Sequence, residues 1–200
     1  MDENQLRELS KKERKEQRRQ EKKNNIDAVL RAEKWKTALW WVLGLIVVGG
    51  SIAALIWLSV QSDKNRPGVA VEEQGREHIA TGTPHPDYNS NPPTSGWHYA
   101  GEALWGVYQK ELPDEQVLHN LEHGGIWISY VGIDKATIDQ IETLAKKYPD
   151  KMIVTPRATD DAKIVVASWA RLLKLDRFDE AQLVGFITSN KNRSPEPNAQ

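Results

Sequence analysis

The longest uninterrupted apolar stretch of the chain runs from Ala38 to Val60. Its 23 residues include no charged side chain. At a rise of about 1.5 Å per residue, a helix of this length extends roughly 34 Å and exceeds a hydrocarbon core about 30 Å thick. Trp40 and Trp41 lie near one end and Trp57 near the other, as in the aromatic belts at membrane interfaces. We therefore expect a single transmembrane helix here.

A cleaved secretory signal is the alternative explanation for an apolar run near the N-terminus. The apolar cores of such signals usually span only about 7 to 15 residues. The sequence Ser-Val-Gln-Ser that ends the run is also a poor cleavage site, which normally consists of small residues. An uncleaved membrane anchor is the favoured interpretation.

Hydrophobic periodicity after the membrane helix predicts a folded domain of mixed elements. Helices are expected over Asp114–His123, Lys135–Tyr148 and Asp179–Thr188, and strands over residues 126–131, 151–155 and 164–169. From residue 126 onward the order is β-α-β-β-α. This order indicates an α+β fold, with a compact mixed-sheet extracytoplasmic domain after one N-terminal transmembrane helix.

The composition of the chain changes along its length and predicts five segments. We expect a charged cytoplasmic segment at 1–37, the membrane helix at 38–60, a polar tether at 61–84, the α+β domain at 85–190 and a disordered tail at 191–200.

Charge is distributed unevenly about the apolar run. Residues 1–36 contain 12 Lys and Arg against 8 Asp and Glu, a net charge of +4, whereas the rest of the chain has a net charge of −5. Because positively charged flanking segments stay in the cytoplasm, this asymmetry predicts a cytoplasmic N-terminus. The expected location is the plasma membrane of a bacterium, with the C-terminal domain outside. The acidic exterior part disfavours binding to nucleic acid.

All five histidines lie between His78 and His123, and four of them occur in two short motifs. The first motif, HPDYNSNPPTSGWH, contains His85 and His98, and the second, HNLEH, contains His119 and His123. Residues four apart in a helix face the same side, so the second pair can bind one cation. We expect His85 and His98 to add further nitrogen ligands from the preceding loop.

Glu122 lies between the two histidines of the second motif and has three potential roles. It can be an oxygen ligand, a general base on a metal-bound water, or an acceptor that fixes a histidine tautomer. Imidazole with carboxylate favours Zn(II), Cu(II) or another divalent ion, and the chain has no cysteine to supply a thiolate. The predicted metal site consists of His85, His98, His119, Glu122 and His123. The alternative is that these histidines only form hydrogen bonds within a polar loop.

Two other functions stay open. HNLEH matches the H-x-x-E-H string of inverted zinc peptidases, which makes Glu122 a candidate catalytic residue of a metal-dependent hydrolase. Those enzymes need a further acidic ligand downstream, where the only glutamates of the chain are Glu142, Glu180 and Glu196. The second alternative is that the domain is an interaction or assembly protein of the cell envelope, with an unknown protein partner. Its candidate docking residues are Trp97, Tyr99, Trp105 and Trp127.

The two histidine motifs also carry a resemblance to a known family. HPDYNSNPPTSGWH and VLHNLEHGGIWISY, with the weaker stretches IVTPR and VVASWARLLKLDRFD, resemble the bacterial family called domain of unknown function 3105. The resemblance covers roughly residues 78 to 188. It implies a small protein with an N-terminal transmembrane helix and an extracytoplasmic domain. It further implies a site around His85, His98, His119, Glu122 and His123, without an established reaction.

Overall fold

The computed structural model describes residues 11–198 and divides into two units between Lys64 and Asn65. The first unit is one long helix, α1 (Lys11–Lys64), of 54 residues. The apolar run at 38–60 lies inside this helix, and all of its residues are exposed. Helix α1 is thus long and apolar enough to cross a membrane.

The second unit combines a mixed sheet with three helices. Within residues 65–198 the strands are β1 (Val69–Ala70), β2 (His78–Ile79), β3 (His98–Tyr99), β4 (Gly106–Val107), β5 (Ile126–Tyr130), β6 (Met152–Pro156), β7 (Ile164–Ser168) and β8 (Arg171–Leu175). The helices are α2 (Asp114–Glu122), α3 (Lys135–Lys146) and α4 (Glu180–Asn190).

Six of these strands form one sheet in the order β1-β8-β7-β5-β6-β4. Strand β6 runs parallel to both of its neighbours, β5 and β4, and the remaining pairs are antiparallel. Strands β2 and β3 form a separate parallel pair. The prediction of an α+β domain with a mixed sheet is confirmed.

The central strand β5 is buried along its whole length and has a hydrophobic cluster on each face. Ile126 and Ile128 belong to a cluster that includes residues of α3 and α4. Trp127 points to the opposite face, since successive side chains of a strand alternate, and belongs to a cluster with residues of α2. Helix α2 therefore packs on the face of the sheet opposite α3 and α4.

The predicted helices and the three predicted strands are present, with ends that differ by a few residues. Strand β8 was not predicted. It follows β7 through a two-residue turn at Trp169 and Ala170, and Ala170 adopts a φ of 53°. Positive φ at such turns usually belongs to Gly or Asn, so the sequence has no turn signal there.

Both segments that flank the predicted domain contribute to the folded unit. Within 61–84, expected as a tether, Val69 of β1 pairs with Leu172 of β8. Within 191–200, expected as a disordered tail, the Asn192 amide donates to the carbonyl oxygen of Gly124 at 2.9 Å. These contacts join segments that are far apart in the chain. Such contacts produce no hydrophobic periodicity in the sequence, so the pattern could not predict them. The folded unit thus extends beyond residues 85–190 on both sides.

Gly125 joins α2 to β5 where the backbone is tightly packed. A Cβ atom at this position would lie 2.6 Å from Cζ3 of Trp105 and 2.7 Å from the carbonyl oxygen of Asn120. We expect Gly125→Ala to destabilise the domain by about 1–3 kcal/mol, because that carbonyl cannot move without shifting α2. Thermal unfolding followed by near-ultraviolet circular dichroism measures the loss. Gly101→Ala is the control, since a Cβ there meets nothing within 4 Å; equal midpoints for both variants would contradict the tight junction.

Candidate metal centre

The short parallel pair β2 and β3 places two histidines side by side. His78 lies opposite His98 in the register of the two strands. Paired residues of adjacent strands project to the same side, and the two ring centroids are 4.8 Å apart with an edge-to-face arrangement. The side chain of His98 is completely buried, whereas that of His78 is 49% exposed. One histidine therefore lies inside the domain and the other at its surface.

Helix α2 brings two more potential ligands close to these histidines. His119 and Glu122 are three residues apart on one face of the helix, and both are buried. The His119 ring stacks on that of His78 with centroids 5.0 Å apart. Oε2 of Glu122 lies 3.0 Å from Nε2 of His98 and 3.5 Å from Nε2 of His78.

Together these four residues form what we call the central cluster: His78, His98, His119 and Glu122. One potential ligand atom of each lies within 4.8 Å of those of the others. Three imidazoles and one carboxylate converge at this point.

A buried arginine joins two of the segments that supply the cluster. Arg157 donates from Nε and Nη2 to the two carboxylate oxygens of Asp114, at 2.9 and 2.7 Å, in the first turn of α2. Its Nη1 donates to the side-chain oxygen of Asn91, in the loop that precedes β3. The guanidinium also lies 5.8 Å from the Trp127 ring centroid. Because paired guanidinium–carboxylate bonds fix orientation as well as distance, Arg157 sets the position of α2 relative to that loop.

Both buried histidines have one ring nitrogen bound to a backbone carbonyl. Nδ1 of His98 is 2.8 Å from the oxygen of Gly96, and Nδ1 of His119 is 2.8 Å from the oxygen of Tyr99. A carbonyl oxygen only accepts hydrogen bonds, so each Nδ1 carries the proton and Nε2 of the neutral ring carries a lone pair. Metal-binding histidines are usually oriented in this way.

This tautomer leaves an unfavourable contact between His98 and Glu122. The lone pair of His98 Nε2 faces a carboxylate oxygen at 3.0 Å, and two acceptors repel unless a proton or a cation lies between them. If the proton is on Nε2 instead, the lone pair of Nδ1 faces the carbonyl oxygen of Gly96, and these two acceptors repel in the same way. The contact is therefore satisfied only when a proton or a bound cation lies between Nε2 of His98 and Oε2 of Glu122.

Burial lowers the pKa of the His119 imidazole below its usual value. The hydrogen bond to the Tyr99 carbonyl opposes this shift, and the neighbouring imidazoles of His123, His98 and His78 add to it. His119 is thus kept in the neutral form, which is the form that binds metal ions.

Three of the five predicted site residues lie in the central cluster, namely His98, His119 and Glu122. His123 follows α2 directly, and its ring centroid is 4.4 Å from that of His119.

The fifth predicted residue, His85, lies outside the groups of metal-ligand side chains found among the described residues. Its Nδ1 is 2.8 Å from the carbonyl oxygen of Pro86, and its Nε2 is 3.4 Å from Oε1 of Glu115. His85 therefore bonds to Pro86 and Glu115 and does not belong to the central cluster.

His78 takes part in the cluster although it was not in the predicted set. It belongs to neither histidine motif, and it reaches the site only because the two-residue strand β2 pairs with β3. The confinement of every histidine to one region of the sequence was the one signal that pointed to it.

Of the four candidate docking aromatics, Trp127 lies in the core. It is 1% exposed, and its Nε1 donates to Oγ1 of Thr155 at 2.9 Å. Trp97, Tyr99 and Trp105 are half-buried. Trp127 therefore serves packing, and an anchor role applies at most to the other three.

The lowered pKa of His119 predicts how acid affects the metal-free protein. An imidazole in the unfolded chain takes up a proton near pH 6.5, whereas folded His119 does so only at lower pH. The stability that the neutral ring contributes is complete above about pH 6.5 and is lost as the pH falls through the folded pKa. We measure the thermal unfolding midpoints of the chelator-treated protein and of its His119→Gln variant. The midpoint of the unchanged protein minus that of the variant should decrease as the pH falls from about 7 to about 5. A constant difference over this range would contradict the lowered pKa.

Comparison with known proteins identifies a family but no characterised relative. No curated protein matches the chain at a significant level, and neither does any solved structure. A family model described as "Protein of unknown function (DUF3105)" matches residues 78–200. The match begins at His78 and covers more than half of the chain, including the whole central cluster. The chain belongs to this DUF3105 family of proteins of unknown function.

Proposed function

We propose that this protein is a single-pass membrane protein whose extracytoplasmic domain binds a divalent cation, Zn(II) or Cu(II). The proposed ligands are His78, His98, His119 and Glu122. The observation that supports this most strongly is the buried His98 ring, both of whose nitrogens face acceptors. A neutral imidazole has one proton and satisfies only one of them. A cation bound to Nε2 satisfies the other and neutralises Glu122 as well.

The separations of the ligand atoms fit a shared ion. Two atoms that are each about 2.1 Å from one ion lie about 3.0 Å apart at a right angle and about 3.4 Å apart at a tetrahedral angle. Oε2 of Glu122 is 3.0 Å from Nε2 of His98 and 3.5 Å from Nε2 of His78. These distances leave space for the ion without a large rearrangement.

A proton explains the cluster less well than a cation does. Protonation of His98 satisfies its contact with Glu122 but does not involve His119, whose Nδ1 proton bonds to the carbonyl oxygen of Tyr99 and whose Nε2 carries a lone pair. An ion accepts electron pairs from all four ligands at once. Imidazole nitrogen and carboxylate oxygen are donors that Zn(II) and Cu(II) both bind well.

The proposed location rests on α1 and on the distribution of charge. The apolar side chains of α1 at 38–60 are exposed in the structure, as expected of a helix that is surrounded by lipid. The net charge of +4 on residues 1–36 favours a cytoplasmic N-terminus. We place the folded domain on the outer side of a bacterial plasma membrane, where it meets extracytoplasmic metal ions.

Metal binding by the full chain tests this function. The protein is purified in detergent without a histidine tag, stripped with a chelator and titrated with Zn(II) and with Cu(II), and bound metal is measured by elemental mass spectrometry. We expect His98→Ala to weaken the tightest binding by at least about 100-fold, because a ligand and the charge balance of Glu122 are both lost. His78→Ala removes a ligand from an exposed position and should also weaken binding while the fold is kept.

The matched control is His85→Ala, since His85 lies outside the cluster and bonds to Pro86 and Glu115. Its metal affinity should equal that of the unchanged protein. Equal affinities for His78→Ala, His98→Ala and the unchanged protein would refute the proposed site.

A further inference from the structure

Two additional ligand side chains lie directly beside the central cluster. One ligand atom each of Glu102, His119 and His123 lies within 4.8 Å of the others. Oε2 of Glu102 is 3.6 Å from Nε2 of His119, close to the separation of about 3.4 Å for two atoms on one tetrahedral ion. The rings of His119 and His123 are in contact, with centroids 4.4 Å apart.

His119 belongs to both groups but can serve only one ion. Its Nδ1 is occupied by the carbonyl of Tyr99, so only Nε2 is available, and one nitrogen lone pair binds one cation. If His119 joins Glu102 and His123, the residues that remain in the first group are His78, His98 and Glu122. The centre then divides into two sets, each with two histidines and one glutamate.

This division gives each set a ligand composition known from zinc proteins. Two histidines, one glutamate and a water molecule complete a four-coordinate catalytic zinc. A single ion bound to the four residues of the central cluster would leave Glu102 and His123 unused. We infer that the fully loaded centre binds two divalent cations, the first at His78, His98 and Glu122 and the second at Glu102, His119 and His123. His119, a ligand of the single ion proposed above, then belongs to the second ion.

The segment that carries Glu102 is fixed to α2 independently of any ion. Asn120, the residue after His119, accepts a hydrogen bond from the Ala103 amide at 2.9 Å and donates one to the Ala103 carbonyl oxygen at 2.8 Å. Asn120 is buried. These two bonds hold the neighbour of Glu102 against the helix, and therefore keep the carboxylate near His119.

The second set borders a cavity. Glu102 and His123 line a cavity of about 610 Å³, together with Trp105, Lys151 and other residues. Because three protein ligands leave a coordination position free, this cavity has room for water or a small ligand on the second ion.

Glu196 is a weaker ligand for the second ion than Glu102. Its Oε2 lies 4.0 Å from Nε2 of His123, and its side chain is 51% exposed. Its group, with Glu122 and His123, does not include His119. We therefore assign the second carboxylate to Glu102.

The number of bound ions tests this inference, which rests on the proposed metal-binding function. The full chain in detergent is stripped with a chelator and titrated with Zn(II), and bound zinc is counted by elemental and native mass spectrometry. The unchanged protein should bind two equivalents. Glu102→Gln and His123→Ala should each bind one, and His78→Ala should lose the other, with an unchanged circular dichroism spectrum in every case.

Glu73→Gln is the control, since Glu73 is an exposed glutamate in the same domain and lies outside all of the ligand groups; it should keep two equivalents. One equivalent in the unchanged protein, or two in Glu102→Gln, would overturn the two-ion inference and leave the proposed function intact. No bound zinc in the unchanged protein would overturn both.

Discussion

The contact between His98 and Glu122 is the constraint on which the site depends. A fully buried imidazole faces a backbone carbonyl on one side and a carboxylate on the other, and its two nitrogens cannot satisfy both in the neutral state. Burial makes this conflict costly, since an unpaired buried polar group loses about 1–3 kcal/mol of hydration without compensation. The divalent cation that we propose would remove this conflict and neutralise Glu122 at the same time.

The fold is organised to maintain this contact. The sheet carries α3 and α4 on one face and α2 on the other, and His119 and Glu122 of α2 contact His78 and His98 of the β2–β3 pair. Arg157 ties the first turn of α2 to the loop before His98. Ligands from a helix and from two short strands thus meet through rigid contacts, and the buried His98 ring is held in one orientation.

The sequence predicts those parts of the molecule that depend on local pattern. The apolar run, the helix that carries His119 and Glu122, and the central strands follow from periodicity within short windows. His78 depends on pairing between two-residue strands, and β8 follows a turn at Ala170 that lacks a turn residue. The contact of Asn192 with Gly124 is also long-range. His85 and His98 share one motif but lie in different surroundings, because a proline-rich loop separates them and a motif does not specify the path of a loop.

Anomalous diffraction from zinc-saturated crystals of the full chain would locate the proposed ion relative to His98 and Glu122. We expect an anomalous peak at the zinc edge about 2.0–2.2 Å from both Nε2 of His98 and Oε2 of Glu122. A direct hydrogen bond between these two atoms, with no anomalous peak beside them, would mean that a protonated His98 resolves the conflict and would contradict the metal centre.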